Sequence, residues 1–238
     1  MIDVTKLSVR IFADGADVAG IRKLAADPLI AGFTTNPTLM RKAGVDDYEQ
    51  FAHEVLGCVT DRPISFEVMS DDFDHMARQA RKIASWADNV YVKIPITNTG
   101  ARSSLHLVRE LTGEGVKVNV TALMTNEQVE GAAAALQGCT AAFVSVFAGR
   151  IADTGLEPEP IIARALDTLR PLPGVELIWA SPREVLNIVQ ADRVGCHVIT
   201  VTHDLLAKVG LIGRDLTDFS LDTVQMFHRD AVGAGYTL

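Results

Sequence analysis

The sequence predicts an α/β protein, a closed (β/α)8 TIM barrel with an additional C-terminal helix. Three observations predict it. Eight short apolar runs alternate with helical patterns along the chain, and they start about 27 residues apart, the scale of one βα unit. The run NVYVKIP (Asn89–Pro95) is hydrophobic on both faces, the mark of a strand in a sheet covered on both sides. No G-x-G-x-x-G follows any run, which argues against the runner-up, an open doubly wound sheet. Residues 1–238 read as a single barrel domain, since barrels of roughly 250 residues are common and no linker or low-complexity segment divides the chain.

Taken in order, the expected strands are Ser8–Ala13, Gly32–Thr34, Ile64–Val68, Asn89–Ile94, Lys117–Thr121, Ala142–Phe147, Val175–Ala180 and Cys196–Val201. Apolar residues at helical spacing lie between them: Val18, Ile21 and Leu24; Phe51, Val55 and Leu56; Met76, Ala80 and Ile83; Leu105, Val108 and Leu111; Ile161, Ala165 and Leu169; Val185, Ile188 and Val189. Thr125–Gln128 and Ser181–Glu184 both match the capping box, the second with Pro182 at the first helical position. Gly113 and Gly115 end the helix before the fifth strand. The segment from about 221 to 232, with Val224, Phe227 and His228, reads as an amphipathic helix beyond the eight units.

Composition narrows the function. Hydrophobic residues make up 48% of the chain and mean hydropathy is +0.19, ample for a core. A formal net charge of −8 gives no electrostatic reason to bind nucleic acid or an anionic membrane, so an anionic substrate needs a local cationic pocket. Cys58, Cys139 and Cys196 are an odd number without metal-like spacing and read as buried reduced thiols of a cytoplasmic protein. The N-terminal MIDVTKLSVR lacks an apolar core behind basic residues, so no secretory leader is expected. The charge-free stretch from Gly131 to Gly149 divides into a helix end and a β-branched strand and reads as core rather than a membrane span. The histidines (His53, His75, His106, His197, His203 and His228) are scattered without ligand spacing. They read as surface or core fillers, and no metal is expected.

Barrel active sites are built where the strands end and in the loops that follow. At those ends stand Asp14, then Thr34, Thr35 and Asn36, then Glu67, Lys93, Asn119 and Thr121, Ser145 and Arg150, and Ser181 and Arg183. Lys93 sits inside an apolar strand. Burial disfavours its ammonium form, a cost that becomes useful where a neutral amine must attack a carbonyl. Each residue has an ordinary alternative: a turn-forming Asp, a capping Asn or Ser, a lysine that snorkels to water. Their shared placement on seven of eight strands favours a site.

Through ADGAD (Ala13–Asp17), TTNPTL (Thr34–Leu39), SFEV (Ser65–Val68), VYVKIP (Val90–Pro95), VNVTAL (Val118–Leu123), SVFAGRIAD (Ser145–Asp153) and ASPRE (Ala180–Glu184), the chain resembles the transaldolase family. Its length resembles the short branch, which also includes fructose 6-phosphate aldolases. The resemblance implies Lys93 as the Schiff-base lysine and Asp14 as the acid/base at the C4 hydroxyl. Glu67 and Thr121 would hold a relay water. Asn36, Asn119 and Ser145 would bind the dihydroxyacetone hydroxyls, with Thr35 and Phe147 beside them. Arg150, Ser181 and Arg183 would form the phosphate site, and Ser181 also reads as the N-cap of the following helix. Two guanidiniums suit a phosphate, and the helix start would add N–H groups.

The implied activity is transfer of a dihydroxyacetone unit from fructose 6- or sedoheptulose 7-phosphate to an aldose phosphate, without cofactor or metal. With erythrose 4-phosphate as acceptor, the setting would be the pentose phosphate pathway. The alternatives are a free aldolase releasing dihydroxyacetone and a non-catalytic sugar-phosphate-binding protein. The aldolase branch carries Gln where this chain has Glu67 and Tyr where it has Phe147. Pro182 and Glu184 depart from the family's usual Phe and Asn around Arg183. A homo-oligomer is implied, a decamer in preference to a dimer.

Overall fold

The computed structural model describes residues 4–236. Its strands are β1 (Arg10–Asp14), β2 (Ile30–Thr34), β3 (Ile64–Glu67), β4 (Val90–Pro95), β5 (Val118–Leu123), β6 (Ala142–Val146), β7 (Val175–Trp179) and β8 (Val198–Thr202). They pair in parallel and in chain order, and β1 closes onto β8. The strand limits expected from sequence are met to within two residues at either end. The TIM-barrel expectation holds.

Helix α1 (Val18–Ala25) follows β1, and β2 is followed by two helices, α2 (Pro37–Lys42) and α3 (Tyr48–Leu56). After β3, β4 and β5 come α4 (Phe73–Ala84), α5 (Leu105–Gly113) and α6 (Asn126–Ala135). After β6 come α7 (Ala148–Ala152) and α8 (Glu159–Leu169), after β7 comes α9 (Leu186–Arg193), and after β8 come α10 (His203–Leu206) and α11 (Leu216–Gly233). Short polar residues start several of them. The carboxylates of Asp17, Asp47 and Asp72 accept N–H groups in the first turns of α1, α3 and α4, donors that a helix start leaves unsatisfied. The capping box of Thr125 and Gln128 is present in both halves.

The core has two compartments. Outside the sheet, the expected stripes pack on the barrel, with Ile21, Phe51, Val55, Met76, Ala80, Ile83, Val108, Leu111, Ala165, Leu169 and Ile188 all buried. Inside it, Phe12, Phe143, Ile178 and Val198 fill the lower half, and the Phe12 and Phe143 rings meet edge-on at 5.6 Å. Apolar filling below leaves the polar residues at the strand ends as the top layer.

Three expectations are corrected. Ser181–Glu184 forms no capping box: α9 starts at Leu186, and Ser181 adopts φ +58°, a left-handed conformation that a helix N-cap does not use. The C-terminal helix is longer than 221–232, running from Leu216 to Gly233. At 3.6 residues per turn Asp218, Asp222, Gln225 and Arg229 form a polar face opposite a broad apolar one, and none of its residues is buried; Leu216 is 81% exposed and Phe227 62%. Only Cys196 is a fully buried thiol, held up to about 12 by that burial, while Cys58 and Cys139 are partly accessible. The segment from Gly131 to Gly149 divides as expected, into the end of α6, β6 and the start of α7. Among the described residues no helix is long and apolar enough to cross a membrane.

Candidate active site

The strand ends surround a cavity of about 410 Å3, within the usual size range of small-molecule sites. A cleft of about 480 Å3 around Arg170, Glu176 and His197 is larger but lies at the opposite end of the barrel, where β7 and β8 begin. Strand register assembles the chemistry. Glu67 on β3 pairs with Lys93 on β4, Lys93 pairs with Asn119 on β5, and Asp14 on β1 pairs with Thr34 and Thr202.

Lys93 is 6% exposed. Its Nζ donates to the Thr35 carbonyl at 2.9 Å and lies 3.4 Å from Glu67 Oε2. A buried charge must be paired in this way, and two partners leave one donor position of the ammonium for a molecule in the cavity. Thr121 Oγ1 lies at the same cavity, buried and without a hydrogen-bond partner among the described residues.

Asp14 accepts the Thr34 hydroxyl at 2.7 Å and the Asn36 amide at 3.5 Å. Burial pushes its carboxyl above the usual carboxylate range, against the opposing influences of Lys93, the Thr34 hydrogen bond, His203 and Asn36. Asn36 is itself fixed, because its Oδ1 caps α2 through Leu39 N at 3.0 Å while Pro37 opens the helix.

Beneath the cavity Ser145 donates to Asn119 Oδ1 at 2.7 Å, and Asn119 Nδ2 donates to Ser65 Oγ at 3.0 Å. Ser145 lines the cavity, whereas Asn119 is wholly buried and lies one layer below. Thr35 is also beneath the surface: its hydroxyl donates to the Ser65 carbonyl, and its own carbonyl holds Lys93.

The rim comes from the loops after β6 and β7. Phe147 carries the Arg150 guanidinium 5.5 Å from its ring centre. A Cβ on Gly149 would lie 1.5 Å from the Ser181 carbonyl oxygen, so the two loops meet backbone to backbone only because this residue is glycine. Arg183 is held by Asp153, with Nε 3.1 Å from Oδ1 and a second contact from Nη2 to Oδ2. The N–H groups of Arg183 and Glu184 donate to Asn187 Oδ1 at 2.7 and 3.1 Å, so the helix-start donors expected for a phosphate are already used.

The family model for Transaldolase/Fructose-6-phosphate aldolase matches residues 11–235. The chain belongs to this family. It is 35% identical over 213 residues to a probable transaldolase of Dehalococcoides mccartyi, covering 88% of this chain and 93% of that one. A probable transaldolase 2 of Listeria monocytogenes is 36% identical over 216 residues, with 90% and 93% covered. Among solved structures the chain is similar to a type I 3-dehydroquinate dehydratase of Clostridium difficile carrying covalently modified comenic acid, at TM-score 0.54 and 11% identity over 84% of this chain and 87% of that one. It is also similar to a structure described as native KDPGal, at 0.51 and 16% over 84% and 85%. These two likenesses bear on the fold alone. As a member of the transaldolase/fructose-6-phosphate aldolase family, this barrel is an enzyme.

Asp14, Asn36, Glu67, Lys93, Thr121, Ser145, Phe147, Arg150, Ser181 and Arg183 all line the one cavity. The eighth strand, from which no site residue was expected, adds Thr200 and Thr202, and Thr200 Oγ1 lies 2.5 Å from Thr34 Oγ1. A signal was available in VITVTH: two threonines spaced by two residues share a face of a strand otherwise made of valine and isoleucine.

Proposed function

We propose that the protein is a transaldolase that moves a dihydroxyacetone unit from fructose 6- or sedoheptulose 7-phosphate to an aldose phosphate through a Schiff base on Lys93. The observation that carries this reading is the buried Lys93 amine, 3.4 Å from Glu67, in one cavity with Asp14. Glu67 is placed to take the ammonium proton, and the freed amine adds to the C2 carbonyl of the ketose. Loss of water then gives an iminium, with Glu67 and Thr121 holding the water that relays the protons. Asp14 accepts the C4 hydroxyl proton, the C3–C4 bond breaks, and its electron pair flows into the iminium as an enamine. The aldose phosphate leaves. The enamine carbon attacks an acceptor aldehyde, Asp14 returns the proton to the new hydroxyl, and hydrolysis frees Lys93. Asn36 and Ser145 would bind the hydroxyls of the dihydroxyacetone unit, with Asn119 holding Ser145.

Arg150 and Arg183 would recognise the phosphate. A charge-assisted contact is worth about 1.5–3 kcal/mol, so Arg150→Ala or Arg183→Ala should raise KM for phosphorylated sugars roughly 10- to 150-fold with a smaller change in kcat. Equal losses on phosphorylated and unphosphorylated substrates would count against that role.

Transfer rather than release requires an enamine that outlasts departure of the first aldose. Phe147 puts an apolar ring at the rim, and ionised Glu67 can only accept hydrogen bonds. Phe147→Tyr should therefore raise the ratio of free dihydroxyacetone to transferred product, and Phe147→Tyr with Glu67→Gln should raise it further. The test of the overall reading is that ratio in the wild type with an acceptor aldose phosphate present. Release as fast as transfer would assign the protein to the aldolase branch instead.

Helix α11 would join copies of the chain. An amphipathic helix normally buries its apolar face, and Leu216, Leu221, Val224, Phe227 and Val232 are all more than half exposed in one copy. Light scattering at micromolar concentration should give a multiple of 25.7 kDa, with a decamer favoured over a dimer. A monomer mass would contradict the assignment.

A further inference from the structure

His203 is a titratable group beside the site that the mechanism above does not use. It opens α10 directly after β8, and its Nε2 is buried without a hydrogen-bond partner among the described residues. The surroundings are shaped to its ring. A Cβ on Gly15 would lie 2.5 Å from Nε2 and 2.8 Å from Cε1, and a Cβ on Gly20 would lie 2.8 Å from both Cε1 and Nδ1. Neither glycine has a positive φ, so the backbone does not require glycine at either place, and Gly20 sits within α1, where alanine favours the helix. The imidazole occupies the space their side chains would take. One of the two, Gly15, directly follows Asp14.

We propose that His203 is a positioning residue for Asp14 in the cleavage step, seated in a slot that Gly15 and Gly20 hold open for its ring. This rests on the reading of Asp14 as the group that takes the C4 hydroxyl proton. The ring sets the path of the chain as it leaves β1 and brings a titratable charge to the carboxylate. Asp14 is faced by Lys93 from β4, by Thr34 and Asn36 between β2 and α2, and by His203 from α10. His203 is faced by Asp14 and by the α1 cap Asp17, whose Oδ2 would lie 2.7 Å from a Cβ on Gly20. A protonated imidazole favours the carboxylate form of Asp14, the form that can accept the proton.

The experiment is the pH profile of kcat/KM for fructose 6-phosphate with an acceptor aldose, from roughly pH 5 to 9, in wild type, His203→Gln and Gly20→Ala. Borohydride trapping on Lys93 is followed in the same preparations. His203→Gln removes the imidazole, and Gly20→Ala crowds the ring at Cε1 and Nδ1 together with the Asp17 carboxylate. Both should move the acid limb upward by about half a unit, a loss of about threefold on that limb with a smaller change on the plateau. Should His203→Gln fail to fold, Gly20→Ala decides alone. An acid limb that coincides with the wild type's, with trapping intact, overturns the proposal. Absence of trapping on Lys93 in the wild type overturns instead the reading on which it rests.

Discussion

Lys93→Met should lower kcat by at least on the order of 10^4-fold, the scale on which loss of a nucleophile is felt. Methionine fills nearly the same volume but has no amine, so neither carbinolamine nor iminium can form. The substitution also has a structural signature. It removes the partner of Glu67, whose side chain is 16% exposed, and the donor to the Thr35 carbonyl. Breaking a buried ion pair from one side costs about 3–5 kcal/mol. Lys93→Met should therefore unfold at lower temperature than the wild type, and the double variant Lys93→Met with Glu67→Gln should recover much of the difference without recovering activity. Kinetics and thermal melts on both variants check this. Wild-type turnover in Lys93→Met would end the account.

Asp14→Asn should lower kcat about 10^2- to 10^4-fold, the usual contribution of a positioned acid/base group, and yet leave a protein more stable near neutral pH. Its carboxyl is held above the usual range chiefly by burial. The folded state thus binds this proton more tightly than the unfolded chain does. The stability linked to it is complete below the unfolded value of 3.8 and is lost as pH rises through the folded value. An amide cannot ionise and escapes that loss, while one oxygen remains to accept the Thr34 hydroxyl. Each kcal/mol relieved appears as about 2–4 °C in Tm for a chain of this size. The gain of Asp14→Asn over wild type should be largest at pH 7 to 8 and fade towards pH 4. A variant less stable at neutral pH, with the gap narrowing as pH rises, would contradict the stored cost at Asp14.

The barrel was legible because its signal is collective. Each strand is short, but eight apolar runs at the spacing of βα units leave few other closed arrangements. The site was legible for a related reason: in a framework of valine and isoleucine, a lysine, two carboxylates and several amides stand out when they recur at one end of each strand. Thr200 and Thr202 are easily passed over because threonine is also a good strand former, and their shared face in VITVT is the one sign that sets them apart. Ser181 misled in the opposite direction. S-P-R-E has the right letters for a capping box, but two contacts decide where α9 begins: the close backbone approach of Gly149 to Ser181, between loops distant in sequence, and the Asn187 side chain within α9, which takes the Arg183 N–H. The amphipathic character of α11 is legible from Val224 and Phe227, whereas its start at Leu216, capped by Asp215, is not.

Reductive trapping tests the central claim most directly. Incubation with fructose 6-phosphate and borohydride, followed by peptide mass mapping, should find the three-carbon dihydroxyacetone remnant on Lys93 as a secondary amine, and Lys93→Met should carry none. A label on a different lysine, or active wild-type protein that borohydride and substrate together neither modify nor inactivate, would contradict a Schiff base at Lys93.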